Sequence, residues 1–361
     1  MLTYRSYDRG LLVRCAGVFA TVLLITIGCG AQESDNLRAE ARAGADAAAK
    51  TNRAAAAVFL DRAQSAEARL SAVKNVPSIL DRGDTVSALE RVRDEEEPVA
   101  IRVRALELAG HALGRDDEQL TEVLGLLRNP DTPSPLRAAI AETLHLLLIG
   151  GSTPAARHED LIATLRGVMK DADAAVRTIA LSTLAAEGDD AAQQVLANDL
   201  RDPNTQLVPP EHAVALLALH PGGDTTPALR EVLANPPNAQ AQIEAAHALG
   251  TDVQSHDDLQ QVIRNTEATD ELRFAAVGAL NANAPEKIAA AALPLLNDEG
   301  AGDDVRIYAI KAVQALQEAN VGLESVQSPE EKAFDAAVNR LRTKAKSAAV
   351  RDAAKAYVTK K

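Results

Sequence analysis

The chain has 361 residues, 47% of them hydrophobic and 25% charged, enough to bury a core and too apolar for disorder throughout. Four Phe, four Tyr and no Trp leave few rings for stacking sugars, nucleobases or flavins. The 38 basic against 51 acidic residues argue against general nucleic-acid binding, and two cysteines exclude a disulfide scaffold or a multi-cysteine zinc site.

In chain order, residues 1–14 supply Arg5, Arg9 and Arg14 against Asp8 alone, and an apolar run of 13 residues follows from Cys15 to Ile27. A basic start, a short apolar core and a small residue at the cut form a secretory signal, and the run falls short of the roughly 20 residues that span a bilayer. Thr26-Ile27-Gly28-Cys29 resembles the lipobox of bacterial lipoproteins, departing from it at Thr26, where Leu is usual. The resemblance implies cleavage after residue 28, a thioether-linked diacylglycerol on Cys29 and an N-acyl chain such as palmitate. Cys15 then leaves with the signal, and Cys29 is the single cysteine of the mature chain. Several acyl chains at about 0.8 kcal/mol per CH₂ anchor a protein stably. Gly30 in second place resembles lipoproteins sorted to the outer membrane. The expected location is therefore the periplasmic face of a bacterial membrane, the outer one by that resemblance.

Residues 29–57 read as an acylated N-terminus and an Ala-rich tether, polar and short of large apolar groups. From 58 onward one pattern recurs. An apolar residue is followed by Arg, then by small or apolar residues at offsets 3, 4, 7 and 8, as in Leu136-Arg137 with Ala139, Ile140, Thr143 and Leu144. Val176-Arg177, Leu272-Arg273 and Val305-Arg306 repeat it, with weaker copies at Ala68-Arg69, Ile101-Arg102, Pro210-Glu211, Ala241-Gln242 and Val350-Arg351. These offsets lie on one helix face, and the nine copies recur at about 35 residues, a repeat array's period. A second helical pattern, as in 117–129, 158–171, 225–235 and 286–298, fills each interval. Each unit is helix, turn, helix. Ser134-Pro135, Thr226-Pro227 and Ser328-Pro329 look like N-caps followed by proline, and Asp270 and Asp303 suit caps for the helices after them. The expected fold is all-α, an α-solenoid (α-α superhelix) of about nine helix pairs over 58–361.

Helix pairs of this length, with Asp-rich turns and an apolar-Arg start to the second helix, resemble HEAT repeats, and most closely the HEAT-like units named after phycobilisome lyases. The resemblance specifies architecture and leaves activity open, because such arrays mostly present surfaces to other molecules. It implies that Arg69, Arg102, Arg137, Arg177, Arg273, Arg306 and Arg351 form a structural ladder, each pairing with an acid of a neighbouring turn. Glu211 and Gln242 break the row. An Arg row also suits phosphate or carboxylate, but regular spacing with Asp131, Asp171, Asp202 and Asp298 favours the ladder.

Deoxyhypusine hydroxylases, HEAT-like enzymes, hold two irons through His-Glu dipeptides on successive repeats. This chain has one, His158-Glu159, and its other histidines sit at different repeat offsets. Helical zinc-protease, G-x-S-x-G, P-loop and EF-hand patterns are not met. No catalytic residue, metal ligand or cofactor is nominated.

Residues 328–361 hold 9 basic and 4 acidic residues, and read as a polar cap closing the solenoid. The same charge suits an acidic partner or anionic headgroups. Tyr308 and Tyr357 fall on the apolar stripe and are expected in the core. The functional expectation is a non-enzymatic, membrane-anchored scaffold or adaptor that binds cell-envelope proteins and not nucleic acid. The alternative is a ligand- or metal-binding protein, enzymatic in one form, with a site in 201–256 lined by His212, His247 and His256.

Overall fold

The computed structural model describes residues 47–360 apart from 80, 152, 154, 203, 221–224 and 320–327. The signal segment, Cys29 and residues 30–46 lie outside the described residues. Among those described there is no strand, and no helix is long and apolar enough to cross a membrane.

The chain divides after Val168 into two compact units. The first holds α1 (47–60), α2 (Ala66–Ala72), α3 (Arg82–Arg93), α4 (Val99–Ala109), α5 (Asp117–Arg128), α6 (Ser134–Ile149) and α7 (Ala155–Val168). The second holds α8 (Ala174–Ala186), α9 (Asp190–Arg201), α10 (Pro210–Leu217), α11 (Thr225–Ala234), α12 (Ala239–Ala248), α13 (His256–Arg264), α14 (Asp270–Asn283), α15 (Ile288–Asn297), α16 (Asp303–Ala319), α17 (Pro329–Lys344) and α18 (Ala348–Lys360). In sequence these are nine consecutive helix pairs. Within the first unit α2, α4 and α6 stack as one layer, and α3, α5 and α7 as another. In the second unit α8, α10, α12, α14, α16 and α18 stack in the same way. The fold class is all-α, an α-solenoid in which each pair buries its apolar faces against its neighbours.

One boundary moves. The tether drawn to residue 57 ends inside α1, whose Ala56 and Phe59 are fully buried, so the solenoid begins before residue 58. Residues 47–60 are helical, with Phe59 supplying the large apolar anchor that the Ala-rich residues before it lack.

Side-chain caps start several helices by satisfying their free N–H groups. Asp81 accepts from Gly83 and Asp84, Asp173 from Ala175 and Val176, and Asn238 from Ala241. Ser328 and Glu331 form a full capping box before Pro329. Elsewhere the expected caps shift by a residue or more. Pro133 holds the cap position of α6, so Ser134 is already helical. Thr226 lies within the first turn of α11. Thr269 caps α14, which frees Asp270 Oδ2 to accept the Gly302 N–H at 2.9 Å, in the turn of the next pair.

Two glycines let neighbouring second helices touch. A Cβ on Gly110, after α4, would lie 2.7 Å from Thr143 Cγ2 of α6. One on Gly250, after α12, would lie 2.9 Å from Ala279 Cβ and 3.1 Å from its carbonyl oxygen on α14.

Candidate functional site

All seven arginines of the row occupy the fourth position of a second helix. That position lies opposite the end of the helix before it. The carbonyls of a helix's last turn have no partner within the helix, and a cation is favoured there by the helix dipole. The Nε of Arg69 donates to Phe59 O at 2.7 Å, Arg102 to Val92 O at 2.9 Å, Arg137 to Leu127 O at 3.0 Å and Arg273 to Ile263 O at 3.2 Å. Arg306 reaches Leu296 O through Nη2 at 3.3 Å. Every acceptor is ten residues earlier and is the last residue but one of its helix. These five guanidinium groups are buried.

The acids take a second part beside the pairing that the resemblance implies. Asp61, Asp94, Asn129, Asp171, Asp202, Asn265 and Asp298 each accept, through Oδ1, the backbone N–H two residues on. They close the turn between paired helices as Asx turns. Arginine also meets carboxylate directly. Arg69 grips Glu97 of the next turn with two bonds of 2.7 and 2.9 Å, and Arg273 Nη1 donates to Asp298 Oδ2 at 3.0 Å. Asp202 and Asp131 serve their own turns.

Spacing explains the exceptions. In most repeats the Asx residue precedes the Arg by eight positions; Asp171 precedes Arg177 by six. Arg177 therefore caps the turn itself, donating to Asp171 O at 2.5 Å, and sends Nε forward to Leu207 O at 2.6 Å. Arg351, after a three-residue turn, likewise caps Ala345 O and Lys346 O. Gln242 keeps the carbonyl contact without charge, donating to Leu233 O at 2.8 Å. Glu211 accepts from Asn238 Nδ2 at 3.0 Å.

The stretch 201–256 resolves into structural parts. Buried Asp199 pins the long turn 202–209 by accepting from Leu207 N, Val208 N and Thr205 Oγ1, and holds Gln206 in a left-handed conformation, φ 34°. His256 is buried with Nε2 2.9 Å from Gly250 O, which ties the segment after α12 to α13. His212 is half-buried on α10, and that burial lowers its pKa; His247 is exposed on α12. Among the described residues no three His, Cys, Asp or Glu side chains are placed to hold a metal ion. The three histidines do not converge. A cleft of about 680 Å³ does open nearby, lined by Arg230, Gln242, Asp258 and Asn265 and by none of the histidines.

One feature faces outward against expectation. Tyr357 is core, packed on Phe334 with ring centroids 6.0 Å apart, its hydroxyl donating to Asp335 Oδ1 at 2.6 Å and accepting from Gln317. Tyr308 is not core. It stacks on Phe274 across α14 and α16, centroids 4.3 Å apart and planes 22° apart, and Phe274 is 42% exposed. Gly278, one turn on from Phe274, lies against the Tyr308 hydroxyl, which a Cβ there would meet at an ordinary 3.5 Å. Half-buried Ile243 and Ile307 hold the register of Phe274, each next after the ladder position of its helix.

No protein-family model matches this chain, and no curated protein does. Among solved structures it is similar to the complex of CpcE and CpcF of phycocyanin lyase from Nostoc sp., at 18% identity over 74% of this chain and 96% of that one, with a TM-score of 0.34. It is also similar to human deoxyhypusine hydroxylase in complex with glycerol, at 14% identity over 88% and 98% of the two chains, with a TM-score of 0.29. On its own helices and its own repeating contacts, the chain is an α-solenoid of HEAT-like helix pairs.

Proposed function

We propose that this chain is a membrane-anchored lipoprotein whose solenoid binds a protein of the bacterial cell envelope and acts as a scaffold without catalysing a reaction. The observation that carries the binding half is the Phe274–Tyr308 stack. Two of the few rings in the chain lie on one another at the surface, with half-buried Ile243 and Ile307 at the equivalent positions of the neighbouring second helices, while Phe59, Phe334 and Tyr357 are buried. Rigid aromatic groups on a fixed scaffold supply large contact area at small entropic cost, and they dominate interface energetics. The anchoring half rests on the resemblance of residues 26–29 to a lipobox.

Each half has its own test. Cys29→Ala releases the protein from the membrane fraction or leaves it as uncleaved precursor; a mutant that still matures and sediments with membranes refutes the anchor. Crosslinking in intact cells, followed by purification and mass spectrometry, recovers one envelope protein in constant ratio, and Phe274→Ser with Tyr308→Ser removes it. Equal recovery from the double variant refutes the surface.

A further inference from the structure

The ladder has a gap at its C-terminal end. Arg69 and Arg273 spend their outer N–H groups on a carboxylate from the following turn, Glu97 and Asp298. The turn that follows Arg306 is Ala345-Lys346-Ser347, which offers none. Arg306 is 8% exposed, its Nε is buried without a partner, and among the described residues no carboxylate oxygen lies within 4 Å of its guanidinium.

A cleft of about 550 Å³ opens at this gap, lined by Arg306, Arg340, Lys344 and Lys346 against two carboxylates, Glu299 and Asp303. Lys346 holds Glu299 at 3.0 Å, which keeps that carboxyl below its usual range, and Arg340 bonds Asn297. The result is a cationic recess with the Arg306 guanidinium in its wall, Nη2 on Leu296 O and Nε without a partner. Guanidinium prefers planar, two-oxygen acceptors, which the chain itself demonstrates at Arg69 and Glu97.

We propose that this cleft binds an acidic peptide segment, one of whose carboxylates takes the place of the missing ladder acid on Arg306 while its neighbours meet Arg340, Lys344 and Lys346. The cleft is wider than one carboxylate needs, and the cations spread over two turns of α17 and the turn after it, as a run of acidic side chains requires. This rests on the protein-binding reading above and gives its partner a chemistry.

The test is fluorescence anisotropy of labelled hexaglutamate with the full-length protein in detergent. Saturable binding is expected at about 20 mM salt, weakened at least tenfold at about 200 mM. Arg340→Ala with Lys346→Ala, both exposed, weakens it tenfold or more with the circular dichroism spectrum unchanged. Ala345→Asp restores the acid opposite Arg306 and abolishes binding while raising the melting temperature. No binding by the wild type, binding unchanged in the exposed double variant, or binding of inorganic phosphate with none of hexaglutamate overturns the proposal. A protein that captures its envelope partner through Phe274 yet ignores hexaglutamate keeps the scaffold reading and refutes this one.

Discussion

Arg69→Met removes more than one contact. The guanidinium is 4% exposed and gives three bonds, one to Phe59 O and two to Glu97, itself 7% exposed. With Met in place, the Glu97 carboxylate keeps Arg91 at 3.5 Å and half-exposed Arg62 at 3.6 Å, neither of which replaces the paired hydrogen bonds. Removing one partner of a buried pair costs about 3–5 kcal/mol, and the two remaining cations place the expected loss near the lower end, about 3 kcal/mol. Arg102→Met serves as the internal standard. Arg102 donates to Val92 O alone, so the loss is about 1–1.5 kcal/mol. Because repeat arrays unfold by parts, hydrogen exchange of the α1–α4 amides is the proper assay, with urea unfolding beside it. Adding Glu97→Gln to Arg69→Met recovers about 2 kcal/mol, since the stranded charge is gone. Equal losses for Arg69→Met and Arg102→Met, or no recovery in the double variant, refute the idea that the carboxylate pair sets the first rung apart.

The other predictions are independent of it. Arg69 hydrogen bonds hold the Glu97 pKa below its unfolded value of 4.5, so the pair's contribution is full above that pH and is lost as pH falls through the lower folded value; Glu97→Gln removes this part of the acid slope in pH-dependent urea titrations. Burial, with Asp335 second, pushes the Tyr357 phenol well above its usual range, so stability declines once pH passes about 10, where the unfolded phenol ionises, and Tyr357→Phe flattens that alkaline decline. Gly250→Ala drives a Cβ against Ala279 and its carbonyl, and lowers stability by about 1–3 kcal/mol, read as a drop in melting temperature. Ser328→Ala breaks the capping box of α17 and costs about 1 kcal/mol in the same measurement.

The helix pairs were legible because their apolar spacing is strong and their period stays near 35 residues, and the Arg row because it marks the fourth position of seven second helices. What escaped is also physical. Arginine counts as polar in a periodicity, but a satisfied guanidinium is buried, so the core face turns toward it. That rotation leaves offset 3, occupied by Tyr308, at the edge of the stripe and open to Phe274. Of the Asx residues only Asp171, Asp202 and Asp298 stand out from the sequence, as acidic turns. Their signal is a distance, an Asp or Asn eight residues before Arg at 61, 94, 129, 265 and 298, which marks the turn they close. The gap at Arg306 is legible only by aligning repeats, where Ala345 stands in the place that Asp298 fills one unit earlier.

The central claim is that the second-helix surface around Phe274 meets another protein. A photocrosslinking phenylalanine analogue placed at 274 tests it in living cells, with the same analogue at Gln194, exposed on first helix α9, as the control. One discrete adduct from 274, absent from 194, is the expected result. No adduct at 274, or the same adducts from both positions, contradicts the account.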